Sequence, residues 1–405
     1  MKTFKSAWAA FAVAACALLA SCTQPAANGA QNAQTAQGGA APTAPAAENA
    51  KKVYMTAIVD HTALNAVRDG AIEELKARGW EEGKNLEVKF QSAQGNTSIS
   101  AQIAKQFVSE SPDVMVGIAT PSAQSLVAAS KTIPIVYAAV TDPVAAQLVP
   151  SWEPSGTNVT GVSDATPLKT QMDLFQNVMP NLKKLGYVYS PGEVNSAVVL
   201  ESLVKEGEAR GIEVVAAPAQ RTTDIPPAAK SLTGKVDAIY TSLDNNVASA
   251  YESLYATAKD GKLPLFTADV GIVERGAVAA VGISYKELGR KTGEVIDRIL
   301  RGEKPGAIPS QVLTENSIYL SPKHAREMGI ELPQAVLDKA DFVDGAPAKG
   351  EGQDGEARGA DGQMGEAAGS EAENAGQTSA EPEPGAAAAA AAAGGGDAPA
   401  SKAAQ

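Results

Sequence analysis

The chain has 405 residues, 44% of them hydrophobic and 5% aromatic, and carries a formal net charge of −12 at pH 7. An acidic balance of that size argues against nucleic acid as a partner, and two cysteines are too few for a disulfide-built scaffold. The length allows more than one hydrophobic core.

The first segment reads as a targeting signal. Lys2 and Lys5 precede an apolar stretch at 7–19 that ends in small residues, the pattern of a secretory signal peptide. It closes as Leu19-Ala20-Ser21-Cys22, which resembles a bacterial lipobox, so residues 1–22 are expected to be a lipoprotein signal with Cys22 as the lipidated residue. Acyl chains add roughly 0.8 kcal/mol of membrane affinity per buried CH2. Cys16 would leave with the signal, which removes any internal disulfide. Residues 23–52 are mostly Ala, Gln, Pro, Thr and Gly and are expected to be a disordered tether.

From residue 53 apolar strands and helical spacings alternate. Strands are predicted at 53–59, 86–90, 114–119 and 133–140, with helices at 64–78, 99–108 and 122–130 between them. Past residue 163 the rhythm restarts. Helices at 168–179, 198–210, 228–232 and 248–259 alternate with strands at 185–189, 214–217, 236–241, 263–267 and 277–283. A strongly amphipathic helix at 288–300 and a short strand-and-helix tail to about residue 344 complete the folded part. The fold class is therefore α/β, with two doubly wound lobes. Residues 345–405 hold ten acidic and three basic side chains and an alanine run at 386–393, and are expected to be a disordered acidic tail.

Open parallel sheets bind ligands beyond the carboxyl ends of their strands. Those corners here are Asp60-His61-Thr62, Thr120-Pro121-Ser122, Thr141-Asp142-Pro143, Ser190-Pro191-Gly192, Ser242-Leu243-Asp244-Asn245-Asn246 and Ala268-Asp269. Helix capping explains part of this polarity. A cleft between the two lobes would explain why carboxylates gather on both sides. Thr120 is placed to cap a helix with Pro121 at its first position, leaving the N–H groups of Ser122 and Ala123 and two hydroxyls as a site for a carboxylate. Asp244 is placed to meet an ammonium group, with Asn245 and Asn246 beside it.

Signatures of catalysis are missing: the sequence holds no G-x-S-x-G, no G-x-x-x-x-G-K-[ST], and no G-x-G-x-x-G after a strand. Its two histidines, His61 and His324, show no metal-ligand spacing, so no metal and no cofactor is expected. Asp60 and His61 form the one conceivable base pair, and His324 reads as surface.

The stretches "GIATPSAQS", "IPIVYAAVTDPVAAQLV", "GTNVTGVS" and "TGKVDAIYTSLDNNVAS" resemble the ABC-transporter substrate-binding proteins of the aromatic-amino-acid (tryptophan/tyrosine) type, over about residues 53–312. The resemblance implies a type I periplasmic-binding fold with three crossings, near 161–164, 283–285 and 304–307. Residues 53–161 plus 285–303 would form one lobe and residues 163–283 plus 308–344 the other. It also implies a non-enzymatic monomer, exported and lipid-anchored to the outer face of a membrane. That monomer would close over a small amino acid and deliver it to permease and ATPase subunits. A sensing lipoprotein, or a binder of another zwitterion, shares those features. Carried over residue by residue, Thr120, Ser122, Ala123 and Thr141 would hold the ligand carboxylate. Asp244 would meet the ammonium, with Asp142 or Asp269 contributing, Asn195 and Asn245 as further contacts, and His61 near the side chain.

Overall fold

Five consecutive apolar residues such as Val114–Ile118, all of them buried, fit only a strand covered on both faces. The computed structural model describes residues 50–348. The signal segment, Cys22, most of the tether and nearly all of the acidic tail lie outside the described residues.

The first lobe alternates β1 (Lys51–Ala57), α1 (Thr62–Ala77), β2 (Leu86–Ser92), α2 (Thr97–Glu110), β3 (Val114–Ile118), α3 (Thr120–Ala129), β4 (Ile135–Ala138) and β5 (Val159–Ser163). The chain then passes to the second lobe. There α4 (Leu168–Val178), β6 (Lys184–Tyr189), α5 (Val194–Arg210), β7 (Glu213–Pro218), α6 (Ile225–Ser231) and β8 (Ala238–Thr241) follow in order. The short α7 (Asn245–Ser249), α8 (Tyr251–Asp260), β9 (Leu265–Thr267) and β10 (Ala279–Gly282) continue it. Next α9 (Tyr285–Leu300) returns to the first lobe and leads into β11 (Gln311–Val312). A last passage reaches β12 (Ser317–Leu320), α10 (Pro322–Glu327), α11 (Gln334–Leu337), β13 (Phe342–Val343) and β14 (Ala346–Pro347).

Two sheets result. One has the order β11-β5-β4-β3-β1-β2 and is parallel throughout; the other runs β14-β13-β12-β10-β9-β8-β6-β7 and is parallel from β10 to β7. Their carboxyl ends carry the polar corners. The third passage between sheets lies at 313–316, later than the expected 304–307, because Gln311 and Val312 still pair with Val162 and Ser163 of β5. The predicted helix at 248–259 is two helices, broken at Ala250, and β5 is a strand that apolar periodicity alone did not reveal.

The α9 helix docks on α1 along a seam of glycines. A Cβ on Gly289 would collide with the Val67 carbonyl, one on Gly70 with the Lys286 carbonyl, and one on Gly293 would stand 2.7 Å from the Ala71 oxygen. Only glycine permits this approach, which anchors to the first lobe a helix that the second lobe's last parallel strand feeds. His324 is buried rather than at the surface: its Nε2 lies 3.1 Å from the Glu274 carbonyl and its ring packs edge-on to Tyr255. Gly289→Ala is expected to cost about 1–3 kcal/mol in urea unfolding. Gly192→Ala, which meets nothing within 4 Å, should stay within about 0.5 kcal/mol of the parent.

Candidate functional site

The corners of both sheets face one another across a cleft. At its centre is a chamber of about 30 Å³, bordered among others by His61, Thr120, Thr141, Asp164, Asn195, Asp244, Asn245, Asp269 and Tyr285. Seven of the expected residues are thus brought together: His61, Thr120, Thr141, Asn195, Asp244, Asn245 and Asp269. Beside it lies a second chamber of about 270 Å³, which shares Thr141, Asp164, Ser242 and Leu243 with the first. Leu243 packs against the hydrophobic cores of both lobes, and Val194 of the second lobe packs against the first, so the cleft is closed.

The first-lobe corners turn abruptly. Ala119 and Ala139, the residues after β3 and β4, take φ of 71° and 53° and both line the central chamber. A residue with a Cβ is held there at a cost of roughly 1–2 kcal/mol. The early turn shifts α3 by one position from expectation. Ala119 is the cap residue, Thr120 the first helical residue and Pro121 the second, so the Thr120 hydroxyl caps nothing and faces the chamber. Ala123 is a correction: its N–H donates to the Ala119 carbonyl at 3.1 Å, and its backbone presses on Gly117 of β3. Ser122 is fully buried and does not border the chamber. Asp142 is displaced too; it caps the turn that follows by accepting from Val144 and Ala145 N–H at 3.0 and 2.9 Å, and borders the second chamber.

Asp244 plays a different part from the one its position suggests. Its two carboxylate oxygens accept from Ser190 N–H (2.6 Å), the Ser190 hydroxyl (2.9 Å), the Ser196 hydroxyl (2.7 Å) and Val247 N–H (2.9 Å). Four donors fill its acceptor positions, so an ammonium group finds none left. Asp244 ties the β6 and β8 corners to α7. Glu193 completes that knot, accepting from the Asn195 and Asn245 side chains at 3.0 and 2.6 Å and from the Asn245 and Asn246 N–H groups. Burial first, and then Asp244, push the Glu193 carboxyl up to about 7.

Among the residues that border the central chamber, two have a buried acceptor without a partner. Asp164, on the first passage between lobes, is 3% exposed and its Oδ1 has no partner. Burial pushes its carboxyl up to about 7; the Thr141 hydroxyl and its own backbone N–H pull it back, and Asp269 pushes it further up. Asn195 donates its Nδ2 to Glu193 and to the Leu243 carbonyl, which turns an unpartnered Oδ1 into the protein interior. Both residues border the central chamber. Asp269 accepts from Gly271 N–H at 2.9 Å, and burial likewise raises its carboxyl.

His61 joins the lobes. Its Nδ1 faces Ala63 N–H and its Nε2 lies 3.3 Å from Nη1 of Arg275 in the second lobe. Burial lowers its pKa; Asp269, Glu252 and Asp60 oppose that shift and Arg275 adds to it. Asp60 accepts instead from Asn65 at 2.7 Å, so Asp60 and His61 do not form a base pair. Asp164 is a site residue missed by reading corners, and Tyr285, one of the few tyrosines the sequence offers for an aromatic pocket, borders the chamber with it. Asp164 follows β5, whose sequence Val-Thr-Gly-Val-Ser is broken by polar residues and glycine and so gives no continuous apolar run, and Tyr285 opens a helix rather than a loop.

Residues 52–344 match the family model described as "ABC transporter substrate binding protein". The chain belongs to that family. A tyrosine-binding protein of Clostridioides difficile (strain R20291) is 36% identical over 271 residues, which cover 67% of this chain and 79% of the relative. Among solved structures, an ABC domain in complex with L-Trp from Streptococcus pneumonia is 34% identical, with TM-score 0.71 over 73% of this chain and 99% of its own. A ligand-free, open substrate-binding protein with adhesive properties from Clostridium difficile is 36% identical, with TM-score 0.57 over 72% and 99%. Sequence identity is about equal, and the substrate-binding protein superposes better on the liganded relative, which agrees with its closed cleft. Its two parallel-rich lobes are those of type I periplasmic binding proteins, as the sequence implied.

In this substrate-binding protein Asp244→Ala would strand four buried donors. It should lower stability by about 3 kcal/mol or more in chemical unfolding.

Proposed function

We propose that this substrate-binding protein takes an aromatic L-amino acid into the cleft, ammonium against Asp164 and Asn195, and presents it to a membrane permease driven by a partner ATPase. The observation that carries this reading is the pair of buried, unpartnered acceptors, Asp164 Oδ1 and Asn195 Oδ1, bordering one chamber. Buried acceptors without donors cost roughly 1–3 kcal/mol each, and an ammonium ligand supplies the missing donors together with an opposite charge. Donors for the ligand carboxylate lie at the first lobe's corner after β3: the Thr120 side chain and, at the start of α3, the Thr120 N–H, which has no backbone partner among the described residues. This replaces Asp244 by Asp164 as the ammonium partner and leaves Asp269 as a second, flanking carboxylate.

The aromatic side chain is supported by the relatives, one named tyrosine-binding and one solved with L-Trp. Contacts from both lobes to one ligand favour the closed state, so binding and hinge closure are one equilibrium. The role is that of a binder without turnover. Anchoring through Cys22 on the outer face of a membrane would keep the cleft near the permease, with the tether setting its reach.

Titration calorimetry with L-Tyr, L-Trp and L-Phe tests the assignment. Asp164→Asn should weaken binding about a hundredfold or more, because it removes one partner of a buried charge pair. The unliganded variant should be no less stable than the parent, since a raised carboxyl pKa marks a charge the fold disfavours. Full-strength binding by the variant would remove the ammonium assignment.

The sign of the pH dependence follows. Asp164 is raised above its unfolded value, so in the empty protein its ionisation costs stability as pH rises towards about 7. A bound ammonium needs the ionised form. Affinity should therefore fall as pH drops below about 7, and Asp164→Asn should flatten that fall. Titrations at pH 5.5 and 8 measure it.

A further inference from the structure

The second chamber is the larger of the two, about 270 Å³ against about 30 Å³. The two share Asp164 and Thr141, so a ligand whose ammonium meets Asp164 stands at the junction with its side chain facing the wider room. Leu168, Val198, Val199 and Leu243 give that room apolar walls. Such walls suit an aromatic ring.

Polar residues interrupt them, Asp142, Thr166, Ser202 and Ser242 among them, and Gln171 is the one whose amide is held by a tyrosine. Gln171, on α4, belongs to the second chamber only and is 3% exposed. Its Oε1 accepts from the Tyr240 hydroxyl at 2.5 Å, and Tyr240 is itself packed between Phe175 and Tyr187. A separation of 2.5 Å suits O–H···O and is short for N–H···O, so it is the carbonyl end that faces Tyr240. The Nε2 end has no hydrogen-bond partner among the described residues. An amide donor held on that wall is a place for an acceptor carried by a ring.

We propose that the second chamber takes the ligand's side chain and that Gln171, oriented by Tyr240, donates to a ring hydroxyl, so that the protein selects a phenolic side chain over a plain phenyl one. This rests on the amino-acid reading of the cleft and deepens it. An indole N–H offers Gln171 Nε2 only another donor and gains nothing from it. A phenol oxygen accepts.

Calorimetry of the wild type and of Gln171→Leu with L-Tyr, L-Phe and L-Trp decides the matter. In the wild type L-Tyr should bind about tenfold tighter than L-Phe, the worth of one hydrogen bond to a buried donor. In Gln171→Leu that ratio should fall to about one. Equal affinities for L-Tyr and L-Phe in the wild type, or a ratio unmoved by the variant, would overturn the role of Gln171 while the amino-acid reading stands. Absence of binding to every L-amino acid would overturn both. Should Gln171→Leu fail to fold, Val198→Trp fills the chamber from a partly exposed face of α5. It should weaken L-Tyr and L-Phe alike by more than tenfold, and unchanged affinities would overturn the placement of the side chain.

Discussion

A carboxylate that is buried and lacks a donor on one oxygen is the constraint around which this cleft is arranged. Asp164 lies where the chain first leaves one lobe for the other, so its charge is felt at the hinge and in the chamber together. Burial resists its ionisation, and Asp269 close by adds to that resistance. On the proposed reading, closing the lobes on an empty site would leave a charge without a partner, whereas closing them on an ammonium ligand would pair it. Differential stability of that kind is what couples a ligand to a conformational equilibrium.

The surrounding carboxylates are divided by what they touch. Glu193 and Asp244 are consumed inside the second lobe, where they bind the corners after β6 and β8 to the start of α7. This knot makes the second lobe's face of the cleft stiff, and it turns the Asn195 carbonyl away from Glu193. On the opposite face, stiffness comes from backbone geometry. The strained Ala119 and Ala139 turn β3 and β4 sharply enough to hold Thr120 and Thr141 at the chamber wall. The glycine seam between α1 and α9 sets the position of the helix that follows the second crossing.

The alternation of apolar runs with helical spacings made both lobes legible, since buried parallel strands leave few polar positions. The polar corners were legible for the same reason: a hydroxyl or carboxylate stands out after an apolar run. What could not be read is which corner residue spends its hydrogen bonds inside the protein. Asp244 and Asp164 both follow a strand. Only the approach of Ser190 and Ser196, about fifty residues away in sequence, satisfies the first and leaves the second open. A one-residue shift of α3 had the same root, because the positive φ of Ala119 is a tertiary outcome that an alanine does not advertise. The third crossing was misplaced because a two-residue strand, β11, carries no periodic signal at all.

The central claim is that Asp164, and not Asp244, meets the ligand's ammonium group. A crystal structure of the closed complex with L-tyrosine tests it most directly. The account predicts the ammonium within hydrogen-bond distance of Asp164 Oδ1 and Asn195 Oδ1, with Asp244 still holding Ser190, Ser196 and Val247. An ammonium bound to Asp244, with those three contacts broken and Asp164 left without a partner, would contradict it.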